Sequence, residues 1–430
     1  MVRVPRPRGF LVFVLIAACL SCSRFALAHP PMAQTPAGTW DGSIRTSAGE
    51  VNFSIELKPQ GDGFNAALVN STDREPFSSV TWDGQTLILR LDYYDGQITA
   101  HYAAAQRLEG EYSRQTSKGM VHIPLVLVPH QDPGTGKPWT GATLAGDWLV
   151  VRPLEAGDKV TLATFSQDST AREDGKVPVT GILEPVSGDT GLLHGAVYAD
   201  PGGHTHFHLS RFDGIHVLAL DGEFQPDGSL QGQLAGTASS MAFTAHRGSD
   251  VTSADPNLQA GSLTRVKDPQ QPFRFSGTDK SRTIEDQDSS QFKGKAVIVD
   301  IFGTWCPNCH DEAPLLQQLY RKYHSQGLEI VGLAYEYTDD KARDLRQIAV
   351  YRAKYGLTFP LLLAGTTAEG QIHKTLPQLV NFGAFPTTIF LDRSGHVHAI
   401  HAGFAGPSTG DKYQEVQQRM ERLTREILVR

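Results

Sequence analysis

The sequence VDIFGTWCPNC, residues 299–309, decides how the C-terminal part of the chain is expected to fold and react. An apolar strand pattern runs into it, and a helical pattern begins at its cysteines. A helix N-terminus stabilises a thiolate because its backbone N–H groups are unpaired and its dipole end is positive. Two intervening residues place the second thiol within reach of a disulfide. The spacing therefore predicts a redox-active pair, with Cys306 as nucleophile and Cys309 as resolving thiol.

The residues around this motif have the pattern of an α/β domain over residues 272–430. The predicted strands cover residues 296–301, 329–334, 359–363, 388–391 and 396–402. The predicted helices follow Cys309, cover residues 339–354, and end the chain with Val416, Met420, Leu423 and Ile427 on one face. Strands that alternate with helices favour this fold class.

The residues before this domain have the period of β-structure. Val51, Phe53, Ile55 and Leu57 alternate with polar residues, which is typical of a strand with one buried face. Asp-Gly pairs at residues 83–84, 95–96, 213–214 and 227–228 indicate tight turns between strands.

A partial internal repeat divides this region. AGTW at residues 37–40 is similar to AGDW at residues 145–148, and LEG at 108–110 is similar to LQG at 230–232. We therefore predict a multi-domain protein. Its N-terminal all-β part has two antiparallel barrel- or sandwich-like units, residues 36–128 and 144–248, and a linker, residues 249–271, precedes the α/β domain.

Charge and cysteine content exclude several classes of protein. The net charge is -7 over 430 residues, and the acidic residues are scattered, so nucleic-acid binding is not expected. Only 4 cysteines are present, too few for a disulfide-rich scaffold.

The first 28 residues have the pattern of an export signal, because Arg3, Arg6 and Arg8 precede a short apolar run. Cleavage after Ala28 fits the small-residue rule, and the alternative is a lipoprotein signal that ends before Cys19. We expect an exported protein of the periplasm or cell envelope, attached to a membrane only through a lipid on Cys19.

Two distant motifs resemble the TlpA/ResA branch of the thioredoxin superfamily. They are WCPNCHDEAP at residues 305–314 and FPTTIFLD at residues 385–392. The resemblance implies a cis-Pro386 beside the dithiol, and a substrate groove with Trp305 and Phe385. It also implies that Asp300 assists proton transfer to the resolving thiol and that Glu312 tunes the thiols. Many members of the branch carry Asn at the position of Asp300.

The same resemblance implies a thiol-disulfide oxidoreductase that reduces protein disulfides in the envelope without a cofactor or metal. Its partners would be a disulfide-containing protein substrate and an upstream dithiol electron donor.

Several alternatives compete with these predictions. The cysteine pair could be a structural disulfide or half of a zinc site, and Cys306 to His310 satisfies the C-x-x-C-H pattern of haem attachment. A peroxiredoxin is a further alternative, although Gly303 stands where its motif has Thr. The β-units could also make the chain an envelope ligand- or partner-binding protein with an accessory redox domain.

Structural alternatives remain for several of the candidate residues. Asp300 could be a core acid bonded to backbone, Glu312 a solvated helix residue, and Pro386 an ordinary turn proline. His204, His206 and His208 share one face of a predicted strand and could bind metal, but a solvated face is favoured. Core packing is favoured over a ligand cavity for Trp40, Trp82 and Trp148.

Overall fold

The computed structural model describes residues 1–2, 35–46, 49–104, 106–152, 159–185, 189–236, 239–249, 264–279, 283–285 and 288–430. The predicted export signal with Cys19, apart from residues 1–2, and most of the predicted linker at residues 249–271 lie outside these ranges. None of the helices in the described ranges is long and apolar enough to span a bilayer.

The first sheet is an antiparallel meander of nine strands. They are β1 (Gly38–Thr46), β2 (Gly49–Gln60), β3 (Gly63–Asn70), β4 (Asp73–Pro76), β5 (Ser79–Trp82), β6 (Thr86–Leu91), β7 (Gly96–Ala104), β8 (Arg107–Thr116) and β9 (Gly119–Pro129). The spatial order is β4-β3-β2-β1-β9-β8-β7-β6-β5. The N–H of Phe77 donates to Ala66 on β3, and the N–H of Ser78 donates to Arg90 on β6. The two ends of the sheet therefore meet, and the sheet has the shape of a barrel.

The second sheet contains a closed barrel of eight strands. Between the sheets lies β10 (Thr135–Pro138), which pairs with β13 (Thr170–Arg172). The barrel strands are β11 (Gly146–Arg152), β12 (Lys159–Gln167), β14 (Val177–Glu184), β15 (Asp189–Ala199), β16 (Thr205–Phe212), β17 (Val217–Phe224), β18 (Leu230–Ala235) and β19 (Ser240–Arg247). Pairing of β14 with β15 and of β11 with β19 closes the circle.

The internal repeat corresponds to equivalent positions in the two sheets. Trp40 on β1 donates its indole N–H to the carbonyl of Pro36 at 2.8 Å, and Trp148 on β11 donates to Leu144 at 2.8 Å. Both indoles are buried in the cores of their sheets, so the core role predicted for them is confirmed. Trp82 is half-buried and packs edge-on against Tyr102.

The two barrels share apolar contacts and hydrogen bonds. Phe212 of the second barrel lies in the core cluster of the first and contacts the ring of Phe53, with centroids 4.8 Å apart. Asn70 donates its amide to the carbonyl of Phe212 at 2.6 Å. The turn at Asp213-Gly214 has the predicted positive φ at its glycine, 88°, whereas at residues 95–96 Asp95 itself has the positive φ, 51°.

The C-terminal residues form a third, seven-stranded sheet with helices on it. Its strands are β21 (Ser276–Thr278), β22 (Thr283–Glu285), β23 (Ala296–Phe302), β24 (Leu328–Glu336), β25 (Leu361–Thr366), β27 (Thr387–Leu391) and β28 (Val397–Ala402), in the order β22-β21-β25-β24-β23-β27-β28. The helices are α1 (Pro307–Tyr323), α2 (Lys341–Tyr355), α3 (Gln371–Thr375) and α4 (Asp411–Leu428). Two short strands, β20 (Arg265–Val266) and β26 (Leu379–Val380), pair with each other, and β29 (Phe404–Ala405) follows β28.

Strand β23 lies between β24 and β27, and both of its faces are covered. Ile298 packs in the core beneath α1, α2 and α4, whereas Val297 and Val299 pack on the opposite face with Phe273 and Phe275. A strand that is buried on both faces has a nearly continuous run of apolar residues, and this run is why β23 could be predicted from the sequence.

The predicted fold class is therefore confirmed, and the predicted domain boundaries stay predictions. The observed helices α1, α2 and α4 correspond to the predicted ones. Strands β21 and β22 and helix α3 were not predicted, because segments of 3 to 5 residues are too short to show a period.

Strands β17 and β18 lie close together at Gly232, the glycine of the repeated LQG segment, and we expect a larger residue there to be destabilising. A Cβ at Gly232 would lie 2.1 Å from the carbonyl oxygen of Asp221, whereas the nearest atom to a Cβ at Gly63 is 3.9 Å away. Gly232→Ala should lower the free energy of unfolding by roughly 1–3 kcal/mol because the backbone must move. Gly63→Ala is the matched control and should change it by less than about 0.5 kcal/mol. Equal unfolding midpoints for both variants in urea would contradict the prediction.

Candidate active site

A buried strand delivers Cys306 to the first turn of a helix. All residues of β23 are buried, and the chain leaves the sheet at Gly303 to enter α1. Cys306 is the N-cap residue, and its Sγ accepts a hydrogen bond from the N–H of Cys309 at 3.3 Å. The sulfur therefore occupies the place of the usual capping oxygen, where the N–H groups and the helix dipole favour negative charge.

Both cysteines are free thiols, and both are buried, with exposed fractions of 3% for Cys306 and 1% for Cys309. The Cys306 thiol donates to the carbonyl oxygen of Phe385, 3.4 Å away. The following peptide bond, Phe385–Pro386, is cis, as the resemblance implies. The N-terminal end of α1 and the Pro386 loop are thus in direct contact at the nucleophilic sulfur.

Aromatic rings surround this contact. Trp305 donates its indole N–H to the carbonyl of Tyr335 at 2.9 Å and stacks on Tyr337, with centroids 4.6 Å apart. Phe385 packs against Trp305 with centroids 5.2 Å apart. The fold therefore brings together Trp305, Phe385 and Pro386, the three residues for which the resemblance implies substrate binding.

Two carboxyl groups lie beneath the dithiol. Asp300 and Glu312 are 3% and 1% exposed, and the Thr388 hydroxyl donates to Glu312 Oε1 at 2.5 Å. Asp300 Oδ1 and Glu312 Oε2 have no hydrogen-bond partner among the described residues. Burial raises the pKa of Glu312 to about 8, and burial together with the Glu312 charge raises the pKa of Asp300 well above its usual range. Interpreting Glu312 as a solvated helix residue is therefore wrong, and both acids can hold a proton at neutral pH.

The resolving thiol is held in its protonated form. Burial raises the pKa of Cys309 well above its ordinary value, and the neighbouring Cys306 and the charge of Asp300 raise it further. A thiol must lose its proton before it attacks a disulfide, so a nearby base is required. Asp300 is an acid close enough to influence this thiol electrostatically.

Glu336 is a site residue that the sequence analysis missed. It ends β24 and accepts from the backbone N–H of Thr304 at 3.0 Å and from its hydroxyl at 2.8 Å. Burial raises the pKa of Glu336 to about 7. This carboxyl anchors the loop that leads to Cys306. The sequence feature that could have identified Glu336 is its position at the C-terminal end of a predicted parallel strand, because that end lies beside the end of β23.

His310, which follows the resolving cysteine, is a buried neutral imidazole. Its Nε2 lies 2.7 Å from the carbonyl oxygen of Thr304 and therefore donates, while Nδ1 lies 2.8 Å from the hydroxyl of Tyr355. Burial lowers the pKa of His310 well below its ordinary value. Both ring nitrogens are engaged, so the imidazole has no free nitrogen with which to ligate a haem iron as C-x-x-C-H attachment requires.

The second barrel contacts the active site at Asn308, the residue of the CxxC motif that precedes Cys309. Its side-chain amide donates to Thr190 of the closed barrel at 2.9 Å and also to the carbonyl of Phe404. Strand β29 pairs in parallel with β15 at the same place. The loop after β28 and the CxxC motif are therefore both bound to the second barrel.

The first barrel covers the neighbouring side of α1 and α2. Arg343 on α2 pairs with Asp95 at 2.8 Å, and Lys354 pairs with Glu75 at 2.5 Å. The ammonium of Lys354 also lies 3.3 Å from the ring centroid of Tyr93, a distance at which cation–π attraction is favourable.

The three alternating histidines lie elsewhere, at β16. His204 and His206 both contact Asp200, at 3.2 and 3.4 Å, and His208 contacts Asp221 at 2.6 Å. His206 and His208 are half-buried, so this face is solvated only in part. Within the described ranges, no cluster of three or more side chains has the geometry of a metal site.

Residues 269–400, which hold the site just described, match the AhpC/TSA family. A seven-stranded sheet with a CxxC motif at a helix N-terminus and a cis-proline beside it defines a thioredoxin-like domain. The chain is 32% identical over 114 residues to the thiol-disulfide oxidoreductase ResA of Geobacillus kaustophilus, which covers 26% of this chain and 58% of the relative. It is 30% identical over 135 residues to the ResA protein of Halalkalibacterium halodurans, which covers 30% of this chain and 64% of the relative.

Among solved structures, the chain is similar to a thiol:disulfide interchange protein from Chlorobium tepidum TLS, with 24% identity and a TM-score of 0.28 over 37% of this chain and 97% of that chain. The resemblance to ResA-like proteins of the thioredoxin superfamily is confirmed. The chain spans about three fifths of the length of the curated relatives it matches.

The buried carboxyl of Glu312 predicts a pH-dependent stability. Its pKa is about 8 in the folded chain and 4.5 ordinarily, so the folded state binds more protons between these values and stability falls as pH rises through them. Glu312→Gln should therefore lose less thermal stability between about pH 5 and 8 than the wild-type protein. The measurement is the unfolding midpoint of the reduced proteins across this range.

The control is Glu369→Gln, which removes an exposed carboxyl. It should keep the wild-type pH dependence. Parallel curves for Glu312→Gln and the wild type would show that the buried carboxyl does not titrate in this window.

Proposed function

We propose that the chain is an exported thiol-disulfide oxidoreductase that reduces protein disulfides in the cell envelope. The observation that carries the proposal is the position of the Cys306 sulfur. It accepts from the Cys309 N–H at a helix N-terminus and contacts the Phe385 carbonyl next to Pro386. The ResA proteins to which the chain is similar are named for the same activity.

In this mechanism the Cys306 thiolate attacks one sulfur of a substrate disulfide. The S–S bond of the substrate breaks, the leaving sulfur takes a proton, and a mixed disulfide joins Cys306 to the substrate. Cys309 then loses its proton and attacks Cys306 Sγ, which releases the second substrate sulfur. The substrate gains two electrons, and the protein is left with a Cys306–Cys309 disulfide, which an upstream dithiol donor reduces.

Asp300 and Glu312 are proposed to handle the proton of the resolving step. Burial raises the pKa of both carboxyls, so Asp300 is an acid near neutral pH and, once deprotonated, a strong base. Asp300 would give its proton to the leaving substrate sulfur in the first step, and the resulting carboxylate would accept the Cys309 proton in the second. Glu312 would set how readily Asp300 does so through their mutual repulsion.

The substrate is proposed to lie along Trp305, Phe385 and Pro386. The opposite side of the dithiol is held against the barrels by Asn308 and His310. A disulfide-containing protein would therefore approach from the side of the Pro386 loop.

The direction of the reaction is proposed from the resemblance to the TlpA/ResA branch, which implies a reductant. Redox poise depends on how far the reduced thiolate is stabilised.

Export is proposed on the pattern of residues 1–28, with a soluble periplasmic form or a lipid anchor at Cys19 as its two versions. The domain organisation is proposed as predicted, with β-units at residues 36–128 and 144–248, a linker at 249–271 and the thioredoxin-like domain at 272–430.

The two cysteines should have separable phenotypes. Cys306→Ser should abolish catalysed reduction of insulin by dithiothreitol, because no nucleophile remains. Cys309→Ser should turn over slowly in this assay. Mixed with insulin in the absence of dithiothreitol, the reduced Cys309→Ser variant should form a mixed disulfide that is visible on a non-reducing gel and is removed by dithiothreitol.

A Cys306→Ser variant that still reduces insulin at the wild-type rate would contradict the assignment. So would a mixed disulfide that forms through Cys309 in place of Cys306. Rapid consumption of hydrogen peroxide by a wild-type protein that leaves insulin unreduced would indicate the peroxidase alternative.

A further inference from the structure

The closed second barrel has an internal cavity that the redox mechanism does not use. Its volume is about 190 Å³, and its wall includes the apolar side chains of Val150, Leu193, Leu220 and Leu234. Eight-stranded barrels are just wide enough to be filled by side chains or to hold one small ligand. The wall also includes the guanidinium of Arg152, which is half-buried.

Arg152 has no acidic partner among the described residues. Its Nη2 donates to the hydroxyl of Thr161 at 3.2 Å, and burial lowers its pKa, with no carboxylate in the described ranges raising it. A cation withdrawn from water without a counter-charge is costly, so such groups are normally paired. The second guanidinium of the cavity, Arg211, shows the usual arrangement, since it pairs with Asp213 at 2.7 Å.

We propose that this cavity binds a small amphipathic anion, a carboxylate with a straight apolar tail, with its head on Arg152 and Thr161. A guanidinium offers two parallel N–H donors that match the two oxygens of a carboxylate. The Thr161 hydroxyl is buried and donates to no acceptor within the described part of the chain, so it can give a further hydrogen bond. The leucines of the wall suit an apolar tail.

The size of the cavity limits the ligand. Pockets for drug-sized molecules have about 300–1,000 Å³. The 190 Å³ available here suits an acid of medium chain length and excludes a long-chain lipid.

The cavity also lies beside the active site. Gly191 is part of its wall, and the carbonyl of the preceding residue, Thr190, accepts from Asn308 of the CxxC motif. A ligand here would lie next to the contact between barrel and dithiol. The proposal does not depend on the redox function, because it concerns binding alone.

The test is calorimetric titration of the full chain with octanoate as the probe. Octanol and octylamine, which have the same tail with a neutral or a cationic head, are the comparison ligands. Octanoate should bind with one-to-one stoichiometry. Octanol should bind at least about tenfold more weakly, and octylamine should not bind, because only a carboxylate can pair with the guanidinium.

Variants locate the site. Arg152→Gln should weaken octanoate binding at least about tenfold, whereas Arg152→Lys retains the charge and should bind more tightly than Arg152→Gln. Arg172→Gln removes an exposed guanidinium on β13 and should bind as the wild type does. Unfolding midpoints of all variants report whether each is folded.

The proposal is overturned if octanoate does not bind the wild-type protein at millimolar concentration. It is also overturned if the three ligands bind equally, or if Arg172→Gln weakens binding as much as Arg152→Gln. If Arg152→Gln fails to fold, octanoate binding by Arg152→Lys and by Arg172→Gln decides. Only Arg152→Lys should bind octanoate more weakly than the wild type, because lysine lacks the two parallel N–H donors.

Discussion

The hydrogen bond from the Cys309 N–H to the sulfur of Cys306 is the interaction on which the rest of the site depends. It exists because the short loop after β23 places Cys306 at the N-cap of α1, where a free N–H group of the first helical turn points at the sulfur. The sulfur is also buried and contacts the Phe385 carbonyl of the Pro386 loop. The thiolate of Cys306 is thus favoured because the strand–loop–helix connection places this cysteine at a helix N-terminus.

Burial without charge compensation is the second feature of the site. Asp300, Glu312 and Glu336 all lie under the loop that carries the cysteines, and burial raises the pKa of each. Withdrawing a carboxyl from water disfavours its anion, and no cation among the described residues lowers the pKa of Asp300 or Glu312. Carboxyl groups with raised pKa values beneath a dithiol are suited to exchange protons with it near neutral pH.

The β-region is part of the surroundings of the dithiol. Asn308 and His310 flank Cys309 in sequence, and each contacts a different barrel, Asn308 through Thr190 and His310 through the rings of Tyr93 and Tyr94. The ion pairs of α2 with the first barrel extend the same interface. Any change in either barrel that moves these contacts would reach the CxxC motif directly.

The sequence by itself determined the strand–CxxC–helix unit, the cis-proline motif and the all-β character of the N-terminal part. These are visible because they depend on local periods and on motifs of a few residues. Only the tertiary structure decided that Glu336 anchors the loop before Cys306, that Asn308 is bonded to Thr190, and that Arg152 lines a cavity of the second barrel beside Thr161. Such contacts join residues that are 32 or 118 positions apart, and the packing of whole sheets, which no local pattern encodes, brings them together.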